Sequence, residues 1–467
     1  MKNETLFGYF RDFVFEIYPF IDPTLNKTFI KPRYDKYPSL RFKENGMPEL
    51  SEYNSAAPYK IFEIFRDSGN GIYIEIENLE SYNKLLTYLI NLKEFRNSFY
   101  SEDNVYKDQI DKHIDSLSFV YIIDILERYY LLNTSKLENE ELLLSIYNPF
   151  ENFIYFTIFN FDISVPILFL QFEEDYFQIS ENIILRKIED NYHKSRFNIR
   201  SYSPPIADSV LNSATHELVF KNYYIENLKR FNDYRLENEN VYPLQRFEMF
   251  FNAIKISTNH NSGFAQILVY PQDWVENYNL DLPPLKGTSL KKYPNYFDYY
   301  YWNNNSFPVI TIDQLKRISF IFNQLILSEN NKIQISNKRL RSSYLRDNEE
   351  DSILDIIIAL ETLLGDNGRG EVTHKLALRT AKLISMHNKD YDAIHVFKAV
   401  KEIYAFRSMV VHGSHKIDSK REIKLHQKSE PISIISLAND FLREIIGILI
   451  DNPKFLDSHE IDKLLLS

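Results

Sequence analysis

Arg407 and His412 stand five positions apart in the stretch Tyr404-Ala-Phe-Arg-Ser-Met-Val-Val-His-Gly413. Only Ser408 and three apolar residues lie between them. A fixed cation beside a group that titrates near neutrality is enough to cleave a phosphodiester without a metal. The guanidinium can carry phosphate charge through a fork of donors, and the imidazole can take or give a proton. Spacing alone does not select this pair. Arg186–His193, Arg369–His374 and Arg421–His426 have similar separations.

Context does the selecting. Arg369–His374 crosses a glycine-flanked loop into a helix start. Arg421–His426 lies in a charged stretch, and Arg186–His193 runs from a strand into a charged loop. Arg407 instead continues a helical stripe through Val396, Val400, Ile403, Arg407 and Val411. A guanidinium interrupting an apolar stripe needs an acceptor. Arg407 and His412 lie about 140° apart around a regular helix. Gly413 should end the helix and leave His412 in a last turn that can swing back. A symmetric dimer would bring two such ends together, giving a composite site of two arginines and two histidines. Two plainer roles stay open: Arg407 as an internal partner of carboxylates and helix-end carbonyls, and His412 as a cation on the helix dipole.

The elements that must position this pair are helical. From Thr311 onward, apolar spacing predicts helices over Ile312–Leu327, with Asp313 near the start, then over Ile333–Arg346 and Asp351–Leu364, the last ending at Gly365. Further helices are expected over Glu371–Met386 (after Gly370), Tyr391–Val411 and Pro431–Ile450, with Pro431 in a first turn. Short links favour an antiparallel bundle. Glu361 and Arg379 fall in apolar surroundings and should pair with each other or with Arg407, either behind the site or as a plain bundle-stabilising ion pair.

Upstream, residues 1–175 read as mixed α and β. Ile72-Tyr-Ile-Glu-Ile alternates like a strand, and helical spacing covers Ser81–Phe95, capped by Ser81, and Asp108–Leu132. Phe153–Phe172 is apolar, but Asn160, Asp162 and Pro166 favour aromatic-rich strands over a membrane helix. Residues 176–310 read as strand-rich, with runs at Ile183–Ile188, Leu218–Phe220 and Phe264–Tyr270, and loops at Pro204-Pro205 and Pro283-Pro284. The Tyr- and Asn-rich tract Tyr293–Asn305 looks like an exposed loop or linker. The expected class is therefore α+β, in three parts: 1–175, 176–310 and 311–467.

Composition narrows the chemistry. The chain has 467 residues and no cysteine, which excludes disulfides, thiolate zinc sites and a cysteine nucleophile. A net charge of −11 argues against general nucleic-acid binding. Yet Glu371–Lys428 carries twelve Lys or Arg against six Asp or Glu, and six of the eleven histidines. That window is either a local nucleic-acid surface or a solvated basic face. The 33 tyrosines and 35 phenylalanines reflect base composition or offer stacking surface for bases. The start, Met1-Lys-Asn-Glu, lacks a signal-peptide pattern, so a cytoplasmic protein without membrane spans is expected.

Three stretches together resemble the HEPN superfamily in its ApeA-like branch. They are Leu345–Leu364, Leu376-Ala-Leu-Arg-Thr-Ala-Lys-Leu-Ile384 and Ile403–Gly413. The resemblance covers about residues 311–452. It implies a helical bundle that dimerises through the motif helix. It also implies a metal-independent endoribonuclease without cofactor, in antiphage defence or acting as a toxin. Arg407 and His412 match the family's catalytic pair, and Ser408 matches its usually polar neighbour. Tyr404, Glu361 and Arg379 are expected to support them. RNA is the implied substrate and a phage product a conceivable trigger acting through residues 1–310. Many such domains serve instead as nucleotide- or partner-binding modules. A metal-dependent nuclease is the other rival, though the chain has no HExxH and no carboxylate spacing that compels a metal site.

Overall fold

A computed structural model describes residues 1–27, 39–51, 64–65, 72–98, 107–197, 199, 206–227, 236, 238–302, 307–366, 372–413, 420–425 and 429–466. Pro204-Pro205, Gly370, Arg369, His426 and the end of the 293–305 tract lie outside the described residues. In chain order come α1 (Glu4–Leu25), β1 (Ser39–Phe42), β2 (Pro48–Ser51), α2 (Glu80–Asn91), α3 (Lys93–Asn97), α4 (Lys107–Leu132) and α5 (Glu140–Tyr155). Then follow β3 (Ile158–Pro166), β4 (Gln171–Phe172), β5 (Tyr176–Ser180), β6 (Ile183–Lys187), α6 (Asp190–Arg196), α7 (Asp208–Asn212) and β7 (His216–Glu226). Next are α8 (Leu244–Thr258), β8 (Phe264–Pro271), β9 (Lys286–Lys292) and β10 (Val309–Ile310). The rest is α9 (Ile312–Leu327), α10 (Asn331–Leu345), α11 (Glu349–Leu364), α12 (Val372–His387), α13 (Ala393–Val411), β11 (Glu422–Ile423), β12 (Ile432–Ser433), α14 (Ile434–Asp451) and α15 (Ser458–Leu466). The mixed α+β class is thus observed, with helices alone carrying the long C-terminal segments.

Packing groups the chain into two discontinuous units: Met1–Pro166 with Glu181–Val241 and Gln266–Leu290, and Ile167–Ser180 with Tyr242–Ala265 and Lys291–Ser467. In the first unit, α1 buries Leu6, Phe10, Phe13, Val14 and Ile17 along one face. The buried Glu151 carboxylate accepts from the Lys2 and Asn3 backbone N–H groups, both at 2.6 Å, where the helix's positive end favours an anion. The middle strands of a six-stranded sheet run β6-β7-β3-β8. β3 pairs antiparallel with β7 (Ile163 opposite Phe220) and with β8 (Ile163 opposite Val269). A bulge between Phe161 and Ile163 puts Asn222 at φ 65°, a conformation asparagine tolerates.

The second unit is built around α14, which touches α8, α10, α11, α12 and α13. Leu437, Phe441, Leu442, Ile445 and Leu449 are fully or almost fully buried. Each such side chain contributes about 1.5–3 kcal/mol by leaving water. α9 starts in a capping box between Thr311 and Gln314. α11 ends at Gly365, where a Cβ would meet the Glu361 carbonyl oxygen at 2.4 Å.

Several expectations fail locally. Residues 72–75 are irregular and lead into a 3₁₀ turn at Ile76–Asn78, so the alternating Ile72–Ile76 segment finds no ladder among the described residues. Ser81 lies inside α2, whose cap Leu79 makes no side-chain bond. The Ser81–Phe95 helix breaks at Leu92 between α2 and α3. Tyr293 and Phe297 are buried beside a 3₁₀ segment, Asn295–Trp302, rather than in an exposed loop. α14 is capped by Ser433, whose side chain accepts from Ser436, and Pro431 stays outside the helix. α6 replaces the charged loop expected around His193. No described helix is long and apolar enough to cross a membrane.

Candidate functional site

α13 is started by Asp392, whose side chain accepts from the Ile394 and His395 N–H groups. Its buried face is Val396, Ala399, Val400, Ile403 and Phe406. The stripe therefore turns to Phe406 in its last turn. Arg407 is left half-buried at the edge, and Val411 is 50% exposed rather than in the core. The helix closes as expected: Gly413 has φ +63° and its N–H bonds the Val410 carbonyl at 3.2 Å. His412 is the exposed cap residue, and its N–H donates to the Ser408 carbonyl at 3.1 Å. Ser408 is half-buried between the pair.

Among the described residues, Arg407 makes no hydrogen bond or ion pair. Its guanidinium carbon lies 5.8 Å from the centroid of the Tyr404 ring. The internal acceptor that the stripe called for is absent among the described residues, because the side chain sits at the edge of the core and can reach solvent. Tyr404 is tied down in turn. Its hydroxyl donates to Glu361 Oε1 at 2.6 Å. Burial, and then the Glu361 carboxylate, push the phenol above its ordinary pKa, while Arg407 pulls the other way.

Glu361 is half-buried, less enclosed than its apolar neighbours suggested. Arg379 pairs with neither Glu361 nor Arg407. It is 2% exposed, binds Asp462 through two bonds (2.8 and 2.7 Å) and Asp366 at 2.7 Å, and donates to the Leu364 carbonyl at 2.6 Å. It thus satisfies an orphan carbonyl at the end of α11 and clamps α15, which is the bundle-stabilising role. The Asp462 bonds raise the arginine's pKa and hold Asp462 below the usual carboxylate value.

Next to Glu361 opens a cleft of about 870 Å³ lined by residues that include Lys332, Glu361, Asp366, Lys375, His459 and Asp462. Sequence reasoning missed Asp366 and Asp462. Asp366 directly follows the glycine that ends α11, where the last carbonyls of the helix need a donor. No local signal marked Asp462. Among the described residues, no group of three or more His, Asp or Glu is arranged to hold a metal ion.

Arg407, Tyr404 and Glu361 therefore follow one another in contact, with His412 exposed five positions beyond Arg407, and Arg379 bonds a different set of partners. Comparison with family models, with curated proteins and with solved structures found no match to this chain.

Proposed function

We propose that the C-terminal helical region is an endoribonuclease site of HEPN type, ApeA-like, that works without a metal. One observation carries this most: an arginine with its donors uncommitted among the described residues, five positions before the exposed histidine that caps the same helix. The buried Arg196 and Arg379 give their donors to acceptors of their own unit, whereas Arg407 spends none on any described residue. The sequence resemblance over 311–452 supplies the reaction class.

In the proposed reaction the ribose 2′-oxygen attacks the adjacent phosphorus and the bond to the 5′-oxygen breaks. Neutral His412 takes the hydroxyl proton, and a protonated histidine returns one to the leaving oxygen. In a symmetric dimer joined along α13, the two histidines divide these tasks. Arg407 stabilises the added charge on the phosphoryl oxygens. The products are a 2′,3′-cyclic phosphate and a 5′-hydroxyl, and DNA resists because it lacks the nucleophile. The setting is a cytoplasmic toxin or antiphage effector, restrained through residues 1–310 until a phage product is sensed.

Cleavage of single-stranded RNA with excess chelator tests this directly. Wild type cuts, and Arg407→Ala and His412→Ala do not. Undiminished cutting by both variants removes the site from the reaction. The cleft beside Glu361 favours a second reading, a nucleotide- or partner-binding regulatory module. It predicts no cleavage under any condition and ligand binding that survives His412→Ala.

A further inference from the structure

Arg407 follows Tyr404 by three residues on α13, so the two side chains rise on one face of the helix. A free arginine chain samples many orientations, and only some present its donor fork to a phosphate. Here the guanidinium carbon lies 5.8 Å from the centre of a ring whose hydroxyl is held by Glu361 on α11. A cation–π contact uses none of the five guanidinium donors. Arg407 is thereby localised without being satisfied. An acceptor such as a carboxylate would fix it equally well but would occupy the fork.

We infer that Tyr404, held by Glu361, is a positioning residue that holds the Arg407 guanidinium ready for a phosphate oxygen. The inference deepens the nuclease reading and rests on it for the identity of the anion. Tyr404 itself touches no reacting atom. Misplacing the guanidinium by about an ångström is enough to cost on the order of 100-fold in rate.

The test uses the full chain, a mixed-sequence single-stranded RNA, and the variants Tyr404→Leu, Tyr404→Phe and Glu361→Gln. Tyr404→Leu removes the ring and lowers kcat about 10- to 100-fold with KM nearly unchanged. Tyr404→Phe keeps the ring but loses the tie to Glu361, and falls about two- to tenfold. Glu361→Gln exchanges a charged acceptor for a neutral one, weakens the tie on the phenol and lowers kcat, by less than Tyr404→Phe does. Melting temperatures of all three are compared, and if Tyr404→Leu does not fold, Tyr404→Phe decides. Binding of fully 2′-O-methylated RNA, which cannot be cut, gives an independent arm. Tyr404→Leu weakens it when Arg407 is present and has no further effect in an Arg407→Ala background.

Wild-type kcat in Tyr404→Leu overturns the inference, as does a loss of binding that persists undiminished without Arg407. If wild type cleaves nothing yet the coupling appears in binding, the nuclease reading falls and the positioning role stands. If cleavage needs Arg407 and His412 but ignores Tyr404, the reverse holds.

Discussion

Buried arginines of the first unit and Arg407 of the second show opposite uses of the same side chain. Arg196 is 1% exposed and gives its donors to the Leu211 carbonyl (2.7 Å), Gln266 Oε1 (3.0 Å) and His193 Nδ1. Burial lowers its pKa to about 10, which still leaves it charged at neutral pH. Nearby, Glu217 is 1% exposed and accepts from Arg186 Nε at 2.7 Å, from the Tyr270 hydroxyl at 2.6 Å and from Ser164. These groups spend their hydrogen bonds on their own unit. Arg407 spends none on any described residue. An interior charge left unpaired is strongly destabilising, so Arg196 is paired, while a charge at the rim is hydrated and leaves Arg407 able to take a ligand.

The largest effect that would break this contrast lies at Glu217. Glu217→Ala strands two hydroxyls and a guanidinium, and should lower unfolding free energy by about 3–5 kcal/mol in denaturant titration. A loss under about 1 kcal/mol would mean that the cluster is dispensable.

Acid comes next. Burial, and then Arg196, hold His193 well below its ordinary pKa of 6.5, so the folded ring stays neutral and accepts from Arg196. The unfolded chain binds a proton below about pH 6.5 and the folded chain does not. Stability is therefore full above that pH and falls as pH drops, by up to about 1.4 kcal/mol per unit from this group. His193→Gln should flatten that slope in melting curves taken across the range; an unchanged slope would assign acid lability elsewhere.

A smaller effect is expected at the Arg379 clamp. The Asp462 side chain is 41% exposed, so solvent weakens the pair. Asp462→Asn should cost about 1 kcal/mol, seen as a lower denaturation midpoint, and should leave RNA cleavage intact. Loss of cleavage without loss of stability would tie Arg379 to the chemistry. The smallest stability effect belongs to Arg407→Ala, within about 0.5 kcal/mol of wild type by the same titration. A loss of several kcal/mol would place Arg407 among the structural arginines.

Much of the second unit was legible in the sequence. α9 matches its expected span, Ile312–Leu327, and Gly365 and Gly413 close α11 and α13 as read. Amphipathic spacing works where one face meets the core and the other meets water. It fails for α8, where Phe247, Met249, Phe250, Phe251, Ala253, Ile254 and Ile256 are all buried and no polar face sets a period. The end of the α13 stripe was misjudged by one position: Phe406 is buried and Arg407 lies at the edge. Glu361 reaches Tyr404 across 43 residues and Arg379 reaches Asp462 across 83. Side-chain partners that distant leave no trace in local pattern, so the site residues were nameable while their pairings were not.

The most direct test is end-group analysis of RNA incubated with the full chain and chelator. A 2′,3′-cyclic phosphate and a 5′-hydroxyl, formed by wild type and absent with Arg407→Ala and with His412→Ala, are the expected result. The same products at wild-type rate from both variants would contradict the claim that this arginine and histidine perform the cleavage.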